Sequence, residues 1–134
     1  ELRIINMLKR KDLIHPQLSY VIIGVLFDVY NNLGPGHKEK YYQKAIAMAL
    51  KTAGISFKEQ AAVPLLFKLK EVGLYYLDFL IEDKIILEIK AGDKFLKQNI
   101  AQVYGYLKAK KLQLGILANF TKAGLQSKRI VNIK

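Results

Sequence analysis

The stretch Tyr75-Tyr76-Leu77-Asp78-Phe79-Leu80-Ile81-Glu82-Asp83-Lys84-Ile85-Ile86-Leu87-Glu88-Ile89-Lys90 reads as two apolar strands joined by a short polar turn, with one carboxylate inside each strand. Alternate residues of a strand share a face. Glu88 and Lys90 therefore lie with Ile86, and Leu87, Ile89 and Ala91 lie on the other side. On the first strand Asp78 lies with Tyr76 and Leu80, opposite Leu77, Phe79 and Ile81. If Glu82-Asp83-Lys84 forms a three-residue loop, Ile81 faces Ile85 and Asp78 falls opposite Glu88, with Cβ atoms about 5 Å apart. A two-residue loop would send the carboxylates to opposite faces. The face without charges is uniformly apolar and is expected to be the core side.

A charge inside an apolar strand is costly unless something pairs with it. Like charges facing each other across strands add repulsion. A cation between them removes both problems, and carboxylate oxygens suit Mg²⁺ or Mn²⁺. Lys90 has the reach to hold a water or an anionic transition state beside such an ion. Two carboxylates and a lysine on a basic protein suit metal-assisted phosphodiester hydrolysis. The same spacing also fits an exposed hairpin in which Glu88 and Lys90 form a surface ion pair.

The flanking chain supplies helices. Val21, Ile22, Val25, Leu26, Val29 and Leu33 recur at helical spacing and predict a helix from about Gln17–Ser19 to Leu33. Gly34-Pro35-Gly36 ends it. A second helix is expected from His37 to Ala53, with Glu39 in its first turn, where the helix dipole favours an acid. Residues Ile55 to Lys70 read as one strand broken at Pro64, or as two short strands. Strands at Val72–Ile81 and Ile85–Ala91, a helix over Lys94–Lys110, and strands at Leu112–Phe120 and Lys128–Ile133 follow. A strand, a crossover helix and a further strand imply a parallel connection within one sheet.

With 134 residues, 51% of them apolar, the chain is expected to form a single domain over 1–134, with residues 1–16 as an N-terminal arm. There is no cysteine, which removes disulfides, thiol catalysis and cysteine-based zinc sites and fits a cytoplasmic setting. The two histidines, His15 and His37, are too isolated to suggest a zinc site or a dyad. The longest apolar run, Tyr20 to Phe27, is far too short to span a bilayer, and no membrane association is expected. Lys and Arg total 22 against 11 Asp and Glu, a net charge of +11. That excess attracts polyanions, nucleic acid first. Lys108, Lys110, Lys111, Lys122 and Lys128 are candidates for such a face.

Asp78 followed by Glu88-Ile89-Lys90 resembles the D…ExK signature of the PD-(D/E)XK nuclease superfamily. Gly36-His37-Lys38-Glu39-Lys40-Tyr41-Tyr42 resembles the G-x-x-E-x-x-Y pattern of the GxxExxY family within it. Gln102 and Tyr106, one helical turn apart, resemble a Q-x-x-x-Y element, and Leu114–Phe120 agrees. The resemblance implies an α/β fold with a restriction-endonuclease-like core, a mixed central β-sheet flanked by α-helices. It implies Asp78, Glu88, the Ile89 carbonyl and Glu39 around Mg²⁺ or Mn²⁺, Lys90 at the attacking water, and Gln102 and Tyr106 beside them. DNA, ahead of RNA, is the implied substrate, and a homodimer is compatible with a domain this small. Asp28, Tyr30 and Tyr76 depart from the residues many relatives carry, Glu, His and Arg respectively. The alternative function is a non-catalytic nucleic-acid- or partner-binding module retaining the fold, and behind it a metal-dependent hydrolase on another substrate.

Overall fold

The polar turn fixes the centre of the molecule. In the computed structural model, which describes residues 14–93 and 97–133, Glu82, Asp83 and Lys84 form a three-residue loop closed by the Lys84 amide donating to the Ile81 carbonyl at 2.9 Å. Glu82 and Asp83 both adopt positive φ (54° each), which turns the chain back within so few residues. Ile81 pairs with Ile85, Leu80 with Ile86 and Phe79 with Leu87, the register that a three-residue loop requires.

Around this turn the elements run α1 (Pro16–Leu33), α2 (Glu39–Thr52), β1 (Phe57–Phe67), β2 (Lys70–Ile81), β3 (Ile85–Ala91), α3 (Lys97–Lys110), β4 (Leu114–Thr121) and β5 (Gly124–Val131). One five-stranded sheet carries the strands in sequence order. β3 and β4 are parallel, joined by the α3 crossover, and the other neighbours are antiparallel. The fold is therefore mixed α/β, as the pattern of elements implied.

The expected single core side is corrected: both faces of the sheet are covered. α1 and α2 bury Ile22, Leu26, Ile46 and Leu50 against Phe79, Ile85, Leu87 and Ile116. α3 covers the opposite face, where Val103, Tyr106 and Leu107 meet Leu77, Leu80, Ile86 and Leu117. A parallel pair at the middle of a sheet needs cover on both sides, and every residue of β4 is buried. Leu77, expected on the same face as Phe79 and Ile81, packs instead under α3 with Leu80. Strict alternation fails at Asp78, beside Gln60, which holds a φ of 50° on β1.

Two strands differ markedly from expectation. β1 runs unbroken through Pro64, which is tolerated because β1 is an edge strand and a missing N–H can face outward. β5 begins at Gly124, four residues before the alternation at Lys128 suggested, since a tight turn after Thr121 sends the chain straight back beside β4. Residues 94–96 of the expected third helix lie outside the described residues. So does most of the expected N-terminal arm, but Ile14 is docked: Arg129 donates to its carbonyl at 3.1 Å and to Ser19 Oγ at 2.8 Å. Among the described residues no helix is long and apolar enough to cross a membrane.

α3 lies directly against β4 at Gly115, where an added Cβ would stand 2.6 Å from Val103 Cγ1. That atom belongs to a stiff β-branched side chain with no free end to move aside. Gly115→Val is therefore expected to destabilise the fold by about 1–3 kcal/mol, the usual cost of overpacking, read as an earlier urea unfolding midpoint.

Candidate active site

Asp78 and Glu88 lie across from each other where the β2–β3 ladder ends. The last backbone pair is Phe79 with Leu87. One step on, the side chains take over the ladder's bonds. The Asp78 amide donates to Glu88 Oε2 at 2.6 Å, and the Ile89 amide donates to Asp78 Oδ2 at 2.8 Å. Each carboxylate thus spends one oxygen on the opposite strand's backbone and keeps a second that takes no backbone bond. The structure brings these two predicted residues together, and the surface-hairpin alternative is excluded, since Glu88 is only 4% exposed.

The electrostatics follow from that burial. Desolvation pushes the Glu88 carboxyl up to about 8, and the Asp78 charge adds to the effect, against the Asp78 amide and Lys90, which favour the anion. Asp78 is raised too, by burial first and by Glu39 in part, opposed by the Ile89 amide, Lys90 and Gln60. The buried pair retains a proton that a carboxyl in water would release. A divalent cation would displace it, and oxygen donors of this type match hard ions. Among the described residues, however, no three His, Cys, Asp or Glu side chains converge as a metal-binding group. The acidic set that can hold an ion is thus the pair, to which any further ligand would come from backbone, water or substrate.

Glu39 approaches from α2 but stops at the end of β3. Its Oε2 accepts from the Ala91 amide at 3.2 Å, and its charge reaches Asp78 and Glu88. Tyr42, one turn along, explains how it gets there. Its ring is fully buried and stacks on Phe120 at 4.1 Å, and Phe120 is the β4 partner of Ala91. The Tyr42 hydroxyl donates to the Gly34 carbonyl at 2.6 Å and accepts from the His37 amide at 3.2 Å. It clamps the loop in which Gly36 takes a φ of 93°, a backbone state suited to glycine. The spacing of Gly36, Glu39 and Tyr42 is thus a mechanical unit of turn, acid and anchor. Tyr42→Phe is expected to cost about 1 kcal/mol, the net value of a typical hydrogen bond, seen as a lower melting temperature.

Tyr106 comes down from α3 and is 6% exposed. Burial pushes its hydroxyl up to about 12, and the charges of Glu88, Tyr75 and Asp78 contribute. Gln102 is exposed on the same helix and lines a cleft of about 410 Å³ with Tyr106. Lys90 is half-buried and is the β3 partner of Asn119 on β4. Asn119 is a residue that sequence reasoning misses. It is 1% exposed, and its Oδ1 has no hydrogen-bond partner. A polar residue in the otherwise apolar run Leu114–Phe120 is the signal that marks it. Of the departures noted, Tyr30 fastens α1 by donating to the Thr121 carbonyl at 2.7 Å, Asp28 holds Asn32, and Tyr76 is exposed.

A mixed five-stranded sheet with helices on both faces and an acidic pair at the open end of its central hairpin defines a restriction-endonuclease-like α/β protein. The family model of the PD-(D/E)XK nuclease superfamily matches residues 16–130, and the chain belongs to that superfamily. Among solved structures it is similar to one described as "Crystal structure of SSO0001", at 16% identity and a TM-score of 0.55. That likeness covers 98% of this chain and 62% of the other, and it concerns the fold. No curated protein matches the chain.

Proposed function

We propose that the chain is a divalent-metal-dependent nuclease hydrolysing DNA phosphodiester bonds, ahead of RNA. The observation that carries this is the reciprocal bonding of Asp78 and Glu88 to each other's strands, which holds two buried carboxyl groups together with the Lys90 charge beside them. Membership of the nuclease superfamily supports it, as does the net charge of +11. Asp78, Glu88 and the Ile89 carbonyl would hold Mg²⁺ or Mn²⁺, with Glu39 contributing through a water. When bound, such an ion supplies polarisation of the phosphate and a more acidic water.

The chain's own residues do the rest. Lys90 sets a positive charge next to the phosphorus under attack and steadies the oxygen that adds there. Glu39 pins the Ala91 amide and so fixes the end of the strand that carries Glu88 and Lys90. Tyr106 walls the carboxylates from solvent, and Gln102 stands at the rim where substrate enters. A water attacks the phosphorus in line with the leaving sugar oxygen: its O–P bond forms as the P–O bond to the sugar breaks, its proton passes to solvent, and the leaving oxygen takes a proton from solvent.

The test is incubation of plasmid, linear, single-stranded and branched DNA, and of RNA, with Mg²⁺ or Mn²⁺. Asp78→Ala is expected to abolish cutting. Cutting that survives that substitution would end the proposal. A second reading, a nucleic-acid-binding module without catalysis, is favoured by the lack of a three-residue metal group among the described residues. Salt-sensitive binding with no cleavage of any substrate would select it.

A further inference from the structure

β1 and β2 continue past the last β2–β3 pair as a two-stranded extension, on which Val63 pairs with Tyr75 and Leu65 with Gly73. Between this extension and α3 lies the cleft of about 410 Å³. Val63, Leu65 and Tyr75 wall one side, and Gln102, Gly105 and Tyr106 the other. None of its lining side chains is charged. The Tyr75 and Tyr106 rings stand 5.9 Å apart, and Tyr75 is 45% exposed, so an aromatic face is available to a ligand. Tyr106 is shared: it lines the cleft and also feels the charges of Glu88 and Asp78. Tyr75 lies three residues before Asp78, roughly 10 Å along an extended strand. That is on the order of one nucleotide step from the carboxylates.

We infer that this cleft receives the base of an unpaired nucleotide whose neighbouring phosphate lies at Asp78 and Glu88. The inference rests on the nuclease reading and narrows its substrate class to single-stranded, frayed or flapped nucleic acid. An uncharged aromatic slot has nothing to offer a phosphate, but it suits the flat face of a base, and the Gln102 amide can meet a base edge. The net charge of +11 brings the polyanion to the surface, and the cleft then selects strands whose bases are free. A base held inside a duplex cannot enter without unpairing.

The test measures binding in EDTA, so that cutting plays no part. Fluorescence anisotropy compares a short labelled single strand with a blunt duplex of the same sequence, and 2-aminopurine in the strand reports stacking. The wild type is expected to bind the single strand about tenfold more tightly and to quench the 2-aminopurine. Tyr75→Ala, which empties the slot, and Gly105→Leu, which fills it from a position with no neighbour within 4 Å of its Cβ, are expected to weaken single-strand binding about tenfold. Duplex binding should not change, and Tyr75→Phe should retain both affinity and quenching. Wild-type-like single-strand binding by both slot variants, in a protein that still cuts DNA with Mg²⁺, would overturn the cleft alone. No binding to any nucleic acid would overturn the cleft and the nuclease reading together. A dimer that Gly105→Leu dissociates would overturn the cleft and assign it to a second copy of this chain.

Discussion

Lys90→Ala is expected to slow DNA cleavage about a hundred- to a thousand-fold, the range seen when one group that stabilises developing charge is removed, while substrate binding changes little. The two effects separate because the ammonium matters most when negative charge grows on the phosphate. Lys90 is half-buried and its side chain takes no part in the bonds that join β2 to β3, so the variant should fold. Lys90→Arg should restore only part of the rate, since a planar guanidinium places its charge differently from a compact ammonium. The measurement is single-turnover cleavage at saturating enzyme, with binding followed separately in EDTA. An unchanged rate for Lys90→Ala would remove Lys90 from the chemistry.

The second large effect concerns stability. Without divalent metal, the wild type is expected to lose stability as pH rises from about 5 to above 8, and Glu88→Gln to lose much less. The folded protein holds a proton on Glu88 up to about pH 8, whereas the ordinary value is 4.5. The folded state therefore binds more protons than the unfolded state between those limits. Stability is fully present below about 4.5 and drains away as pH climbs through 8. Asp78 is raised as well and adds to the slope. Holding one extra proton across a single pH step is worth about 1.4 kcal/mol, so over the three and a half steps from 4.5 to about 8 the full loss is on the order of 5 kcal/mol. Glutamine keeps an oxygen for the Asp78 amide and carries no charge, so Glu88→Gln should overtake the wild type near pH 8. Added Mg²⁺ or Mn²⁺ should raise the wild-type melting temperature more at pH 8 than at pH 5. Melting curves across that range in EDTA and in metal decide it; a flat wild-type profile would contradict the buried acid pair.

The placement of the candidate acid pair was legible in the sequence because one short turn carried the register. Three residues between Ile81 and Ile85 fixed the pairing, and counting back from it brought Asp78 to Glu88. Helical spacing located α1 and α2 within a few residues. What the sequence hid has physical causes. Parity counting assumes an unbroken pleat, so it misplaced Leu77, which lies across an irregular point at Asp78 and Gln60. It also treated an apolar face as the sole core, because a face bearing Glu88 and Lys90 reads as wet; α3, the crossover helix that follows β3, folds back over that face. Asn119 escaped for a related reason. Its meaning comes from lying beside Lys90 across β3 and β4, a neighbour relation that only the parallel pairing creates.

The crossed bonds at Asp78 and Glu88 have a consequence for how a sequence of this kind should be interpreted over evolutionary time. The two acids hold the end of the central hairpin closed where the backbone no longer does. Loss of either acceptor oxygen would leave the opposite strand's amide unpaired, so glutamine or asparagine could keep the hairpin closed where alanine could not. Lys90 takes no part in those bonds, and its charge favours the anionic form of the acids instead. If the chain is the nuclease proposed, joint retention of two charged acids and Lys90, rather than of hydrogen-bond acceptors alone, is what would record selection for turnover.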